Sequence, residues 1–246
     1  MTSRGPLSPV PDDPTAQIVF QPIVDLASWS VVGFEALARF RDGTAPLVRL
    51  ADAEAAGRRE WLELHLIELA VAEAAPLPTG LFITMNASGT TMLHDQLPAL
   101  LAASDRPWGM ELFEGETPAD LTMIRELITR LGGQLLVDDA GAAQADEARI
   151  ATLRPDVVKI DRALFWELRS DPDARARLRP LVAAAREAQA SLLVEGVSEP
   201  DHVDLAREIG ADLAQGFHLG MPTPAPEMAN ALRELRRSVG VDAPGL

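Results

Sequence analysis

The chain has 246 residues, with 22 Lys and Arg against 37 Asp and Glu, and its formal net charge at pH 7 is −15. Hydrophobic residues make up 47% and charged residues 24% of the chain, which is typical of a globular protein and excludes disorder throughout. Because the chain contains no cysteine, it cannot use disulfides, thiolate zinc sites, iron–sulfur clusters or a cysteine nucleophile.

The first 15 residues are rich in proline and contain no apolar run, so we expect a flexible tail there rather than a secretory signal. No stretch reaches the roughly 18 consecutive apolar residues of a membrane helix, and we therefore expect a cytoplasmic protein that does not bind a membrane. The negative charge also argues against duplex nucleic acid as a partner, because that binding depends on Lys and Arg neutralising phosphates.

After this tail, short apolar runs alternate with longer amphipathic segments, which is the pattern of an α/β protein. We predict eight strands, at Ile18–Ile23, Val31–Leu37, Leu81–Met85, Trp108–Leu112, Gln134–Val137, Val157–Ile160, Ser191–Val194 and Asp212–Gly216. The predicted helices are Pro46–Ala56, Arg59–Ala75, Thr90–Ala103, Ala119–Leu131, Asp173–Ala190, Pro200–Ile209 and Pro226–Val239. This series favours a TIM-type (β/α)₈ barrel, with a doubly wound open sheet as the structural alternative.

The first two predicted strands are separated only by Val24–Ser30. This connection is too short for the helical crossover that two parallel strands need. We therefore expect an antiparallel first strand, which makes the barrel a variant of the ordinary one.

A carboxylate, amide or amine ends or follows one predicted strand after another. These residues are Glu35, Asn86, Glu111, Asp138 with Asp139, Lys159, Glu195 and Gln215. An acid that follows a strand, taken alone, is more often a helix cap or part of a solvated turn than a member of a site. In a barrel, however, the carboxyl ends of the parallel strands form one rim, so the whole series predicts a single site there.

Carboxylates gathered at one rim repel one another unless cations neutralise them. Oxygen ligands without histidine or cysteine favour Mg²⁺ or Mn²⁺ over zinc. Two such ions are a standard apparatus for the attack of water on a phosphodiester. Lys159 is placed to orient or deprotonate that water, and a structural ion pair is its alternative role.

Eight short motifs occur in order along the chain. They are Phe20-Gln21-Pro22-Ile23-Val24, Phe34-Glu35-Ala36-Leu37-Ala38-Arg39, Met85-Asn86-Ala87-Ser88, Glu111-Leu112-Phe113-Glu114, Asp138-Asp139, Lys159-Ile160-Asp161, Glu195-Gly196-Val197 and Gln215-Gly216-Phe217 with Pro222. From about Gln17 to Pro224 this series resembles the EAL-domain family of cyclic di-GMP phosphodiesterases. The resemblance implies an EAL-type barrel domain over residues 16–246, after the flexible tail of residues 1–15.

The same resemblance implies hydrolysis of one phosphodiester bond of cyclic di-GMP to linear pGpG, with two Mg²⁺ or Mn²⁺ ions. By position the metal ligands are Glu35, Asn86, Glu111, Asp138 and Asp139, the catalytic residues are Lys159, Glu195 and Gln215, and the substrate-binding residues are Gln21 and Arg39. It also implies a homodimer. Because the chain contains no recognisable sensor domain, we expect the input signal to come from a protein partner, from the tail or from the substrate concentration itself.

The chain departs from the family pattern in the loop 140–147, after Asp139. The family usually has D-D-F-G-T-G-Y-S-S there, and this chain has Asp138-Asp139-Ala140-Gly141-Ala142-Ala143-Gln144-Ala145-Asp146. Phe113 also replaces a threonine, and Ser198 a glutamate. Loss of the aromatic, glycine and hydroxyl residues alters the loop beside the second metal. The alternative function is therefore a catalytically weak or inactive EAL-type receptor for cyclic di-GMP, or a protein-interaction module.

Overall fold

The computed structural model describes residues 16–112, 121–141 and 146–242. Its strands are β1 (Ala16–Asp25), β2 (Ser30–Phe40), β3 (Phe82–Ala87), β4 (Trp108–Leu112), β5 (Gln134–Ala140), β6 (Val157–Ile160), β7 (Ser191–Val194) and β8 (Leu213–Ala214). Its helices are α1 (Pro46–Ala55), α2 (Arg59–Glu73), α3 (Gly89–Met92), α4 (Leu97–Leu101), α5 (Leu121–Arg130), α6 (Asp146–Leu153), α7 (Arg162–Glu167), α8 (Pro172–Ala188), α9 (Pro200–Glu208) and α10 (Ala225–Ser238).

The eight strands form a closed barrel in chain order. From β2 to β8 each strand runs parallel to the next, whereas β1 pairs antiparallel with both β2 and β8. The predicted barrel with an antiparallel first strand is confirmed, and closure of the sheet contradicts the doubly wound alternative.

Apolar side chains fill both sides of the sheet. On the outer side, strand residues such as Val137, Val158 and Leu192 pack against the helices in one large core. On the inner side a smaller cluster fills the barrel, and we call it the barrel plug: Ile23, Leu136, Val157, Leu193 and Leu213. Side chains alternate between the two faces of a strand. A residue two positions after a member of the barrel plug therefore also points into the barrel.

The helix predicted over Thr90–Ala103 is wrong, because the structure has α3 and α4 there instead. Ser88 caps α3 by accepting from the Thr91 amide. Pro98 lies in the first turn of α4. Proline has no N–H to donate and its ring clashes with the preceding turn, so Pro98 is accommodated more easily in a first turn than inside a longer helix.

Two helices that we did not predict, α6 and α7, lie between the later strands. In α6 two of the four buried side chains are Asp146 and Arg149, so the sequence shows no apolar stripe. The six residues of α7 are too few to show a helical period, and the Asp161 side chain caps this helix.

Several predictions fall outside the described residues. They concern the tail over residues 1–15, the replacement at Phe113, the motif residue Glu114, the start of the helix Ala119–Leu131, and loop residues Ala142–Ala145. Among the described helices, none combines the length and the apolar character required to cross a membrane.

Candidate active site

The candidate site lies directly above the barrel plug, at the carboxyl ends of the strands. Asp138, Lys159, Glu195 and Gln215 each come two positions after a residue of the barrel plug. Residues two positions apart on a strand share a face, so these polar side chains continue the inward-facing rows upward. The barrel therefore has an apolar interior below and a polar layer at the rim.

Lys159 lies at the centre of this polar layer and is 1% exposed. Its Nζ lies 2.6 Å from Glu111 Oε2, 2.7 Å from Glu195 Oε1 and 2.8 Å from Asp138 Oδ1. Glu35 Oε1 is 3.5 Å away. Because these carboxylates come from β2, β4, β5 and the residue after β7, one ammonium group links four parts of the rim.

Side-chain amides hold Glu35 in a fixed orientation. Gln215 Nε2 donates to Glu35 Oε2 at 2.7 Å and to Gln21 Oε1 at 3.2 Å. Asn86 Nδ2 donates to Glu35 Oε1 at 3.2 Å. Gln21 Nε2 in turn donates to the carbonyl of Gly220 at 3.0 Å. Both carboxylate oxygens of Glu35 thus have an amide donor, which connects β1, β2, β3 and the end of β8.

A bulge in β5 brings two neighbouring aspartates to the same side. The register of β5 against β6 shifts between Val137 and Ala140, and Asp139 has a φ of 52° in the left-handed region. A bulge inserts an extra residue into the strand and so breaks the alternation that would separate Asp138 from Asp139. As a result, oxygens of Asp138, Asp139 and Glu195 lie within 4.8 Å of one another.

Burial, with repulsion by neighbouring carboxylates, raises the pKa values of Glu111, Asp139 and Glu195. Burial raises the pKa of Glu111 well above its ordinary value. Burial and then the charge of Asp138 raise the pKa of Asp139 to about 6. Burial raises the pKa of Glu195 to about 7, although Lys159 opposes the rise. Each raised pKa means that the ionised carboxylate is unfavourable at this site. A cation bound beside the carboxylate would make the ionised form favourable again.

The pKa of Lys159 is raised as well, but its neighbours cause the rise and burial opposes it. Burial alone would lower the pKa of its ammonium group, but the surrounding carboxylates outweigh burial, with Asp138 and Glu111 contributing most. The pKa therefore lies well above its ordinary value, and Lys159 stays positively charged.

The donor set fits divalent cations. Four carboxylates lie within 3.5 Å of one ammonium group, and Asp139 lies beside two of them. Full ionisation of these five acids therefore leaves a net charge of four negative units, which two divalent cations would neutralise. Glu111 Oε1 is buried without a hydrogen-bond partner among the described residues. Asp138 Oδ1 lies near the ammonium but outside hydrogen-bond geometry. Buried oxygens of this kind cost free energy unless a ligand binds them, and hard oxygen donors suit Mg²⁺ or Mn²⁺.

Of the predicted site residues, the structure places Arg39 apart from the acidic cluster. Arg39 is exposed, lies four residues beyond Glu35 on β2, roughly 13 Å along the strand, and donates to the carbonyl of Ala38 at 2.8 Å. Glu35, Asn86 and Arg39 line a largely apolar cavity of about 220 Å³.

A second cleft, of about 350 Å³, opens over the acidic residues themselves. Its lining includes Gln21, Asp139 and Glu195 together with the exposed aromatic residues Trp166 and Phe217. The acidic cluster is thus open to a ligand that approaches the rim.

Two contacts at the site involve residues that the sequence analysis did not single out. Trp166 Nε1 donates to the carbonyl of Gly196, next to Glu195, at 2.8 Å. Glu63 on α2 accepts hydrogen bonds from Ser88, two residues after Asn86. Trp166 and Glu63 both lie on helices. The sequence around an aromatic or charged residue in a helix does not indicate which residue of another element its side chain will contact.

Three comparisons relate this chain to known proteins. Protein y4lL of Sinorhizobium fredii is 27% identical over 91% of this chain and 28% of its own length. Cyclic di-GMP phosphodiesterase PdeH of Escherichia coli is 31% identical over 63% of this chain and 62% of its own length. BlrP1 of Klebsiella pneumoniae, solved with manganese and cyclic di-GMP, is 27% identical with a TM-score of 0.75, and the match covers 87% of this chain and 57% of BlrP1.

The chain spans between 27% and 33% of the length of y4lL and two other curated relatives. The family model described as the EAL domain matches residues 12–222. Because this match covers well over half of the sequence, the chain belongs to the EAL domain family.

Proposed function

We propose that this chain is a metal-dependent phosphodiesterase that hydrolyses cyclic di-GMP to linear pGpG. The observation that carries the proposal is the buried Lys159 ammonium within 3.5 Å of four carboxylates at the rim of the barrel. The similarity to PdeH, a cyclic di-GMP phosphodiesterase, and to the manganese and cyclic di-GMP complex of BlrP1 supports it.

The metal ligands in this proposal form two sets that share one carboxylate. One Mg²⁺ or Mn²⁺ ion takes Glu35, Asn86, Glu111 and Asp138, and the other takes Asp138, Asp139 and Glu195. Bound there, the two ions lower the pKa of a water molecule and neutralise charge on the phosphate oxygens.

The other rim residues handle charge and orientation. Lys159 supplies a fixed positive charge and N–H donors for the oxygens that gain charge during the reaction. Glu195 is the third catalytic residue in this proposal, and its Oε1 lies 2.7 Å from Lys159 Nζ beside the cleft that a ligand would enter. Gln215 keeps Glu35 oriented through its hydrogen bond of 2.7 Å.

Substrate binding is assigned to Gln21 and Arg39. The exposed guanidinium of Arg39 suits a phosphate group, which it can bind through two parallel hydrogen bonds. Gln21 lines the cleft beside Asp139 and Glu195. The homodimer, the signal-supplying protein partner and the cytoplasmic location stay predictions.

A receptor that binds cyclic di-GMP without turnover is the second candidate. It is favoured by the residues after Asp139, where Ala140 is fully buried at the end of β5 in a position that the family usually fills with an aromatic residue. The smaller side chain fixes the bulge less firmly and thereby weakens the second metal set.

The test is incubation of the protein with cyclic di-GMP in Mg²⁺ and, separately, in Mn²⁺, with pGpG measured by chromatography. We expect product that depends on the metal and is lost in Asp138→Asn, while Asp105→Asn, at an aspartate whose side chain is 81% exposed, behaves as wild type. Calorimetric binding of cyclic di-GMP without product would support the receptor instead. Absence of both binding and product would contradict both candidates.

A further inference from the structure

A buried carboxylate on α2 has no part in the reaction proposed above. Glu63 is 2% exposed, although a buried carboxylate is unfavourable unless hydrogen bonds or cations satisfy it. Its Oε2 accepts from the Ser88 amide at 2.9 Å and from Ser88 Oγ at 2.6 Å. Its Oε1 accepts from Arg59 Nε at 2.8 Å. Glu63 therefore binds the chain immediately after β3 through two hydrogen bonds to one residue.

Ser88 is held from its other side as well. Its Oγ accepts from the Thr91 amide at 3.4 Å and so caps α3. Between Ser88 and Asn86 lies only Ala87, the buried last residue of β3. With Ser88 fixed to both α2 and α3, the backbone that carries Asn86 has little freedom to move.

The amide of Asn86 depends on this support more than the neighbouring carboxylates do. A carboxylate is drawn to a cation by its full charge and tolerates some displacement, whereas a neutral amide oxygen contributes only when its dipole is correctly placed. The hydrogen bond from Asn86 Nδ2 to Glu35 Oε1 measures 3.2 Å, which is at the long end of the usual range, so support of the backbone at Asn86 adds to it.

We propose that Glu63 is a positioning residue, which holds Asn86 in place for the cation shared with Glu35 and Glu111 by binding Ser88. The inference rests on the proposed function because it assumes that this set binds a divalent ion. It predicts that Glu63 affects one of the two ions, since Asp139 lies on β5 and Glu195 directly follows β7.

The experiment titrates Mn²⁺ into the whole chain by calorimetry without substrate, and measures melting temperature in EDTA. In Glu63→Gln the size is kept, but the new NH₂ group faces either Arg59 or Ser88, both of which are donors. We expect one Mn²⁺ to bind about 10-fold more weakly and the other with unchanged affinity, within the roughly 10–100-fold range for groups that orient ligands.

Ser88→Ala should also weaken the binding of one Mn²⁺. It keeps the buried carboxylate of Glu63, so the test remains possible if Glu63→Gln fails to fold. Glu68→Gln, at a side chain 65% exposed on the same helix, is the matched control.

A second comparison separates positioning from general support of the fold. In an Asn86→Ala background, Glu63→Gln should weaken Mn²⁺ binding no further, because the residue it positions is gone. A further loss of the same size, or unchanged Mn²⁺ affinity in the Glu63→Gln single variant, would overturn the inference. Wild-type protein that binds two Mn²⁺ but forms no pGpG would contradict the proposed function and leave this inference standing. Wild-type protein that binds no Mn²⁺ would overturn both.

Discussion

Lys159 is a full positive charge enclosed in the barrel by Glu111, Asp138 and Glu195, with the Nζ to oxygen distances between 2.6 and 2.8 Å. Removing an ion from water is expensive, and the carboxylates offset this only because their geometry around the ammonium is close. The acids depend on Lys159 in turn, because burial raises the pKa of Glu111 and of Glu195 whereas the ammonium group lowers both. The ammonium is thus the chain's own cation at a site suited to further cations.

At the residue scale, Lys159→Met should destabilise the protein strongly when metal is removed. The methionine has a similar length but no charge, so four acids lose their buried counter-ion. We expect a loss of about 3–5 kcal/mol in the free energy of unfolding, measured by urea denaturation in EDTA, and partial recovery in Mn²⁺. Wild-type stability in EDTA would show that Lys159 does not neutralise the cluster.

At the scale of the elements, β5 shows what the sequence could and could not predict. The apolar run up to Val137 and the polar pair Asp138-Asp139 were visible, because alternation and strand ends are local patterns. The continuation of β5 to Ala140 through a bulge was not visible, since the bulge depends on pairing with β6. Likewise α6 buries two charged residues, and Pro98 divides the helix predicted after β3.

The bulge predicts a difference between two substitutions of Asp139. Asp139→Gly and Asp139→Ala both remove the carboxylate, and each should reduce the number of bound Mn²⁺ ions from two to one by calorimetry. Alanine is strained at a φ of 52° whereas glycine is not, so Asp139→Ala should be less stable than Asp139→Gly by about 1 kcal/mol in urea denaturation. Equal stability of the two variants would mean that the left-handed conformation is not maintained.

At the scale of the whole molecule, the site exists only because the barrel closes. Its acids and amides come from strands all around the sheet, and Gln215 lies at the seam where β8 pairs with β1. On the side of β8 that faces β7, Gly216 approaches Val197 so closely that a Cβ would lie 2.2 Å from the Val197 carbonyl oxygen. The barrel type was predictable from eight strand patterns, whereas support by Glu63 and Trp166 required the folded arrangement.

Anomalous X-ray scattering from crystals of the protein grown with Mn²⁺ and cyclic di-GMP would show whether the rim holds two cations. We predict two manganese peaks at the rim of the barrel. One should contact Glu35, Asn86, Glu111 and Asp138, and the other Asp138, Asp139 and Glu195. Absence of manganese from both ligand sets, with Lys159 still bound to the carboxylates, would contradict the claim that this rim is a two-cation phosphodiesterase site.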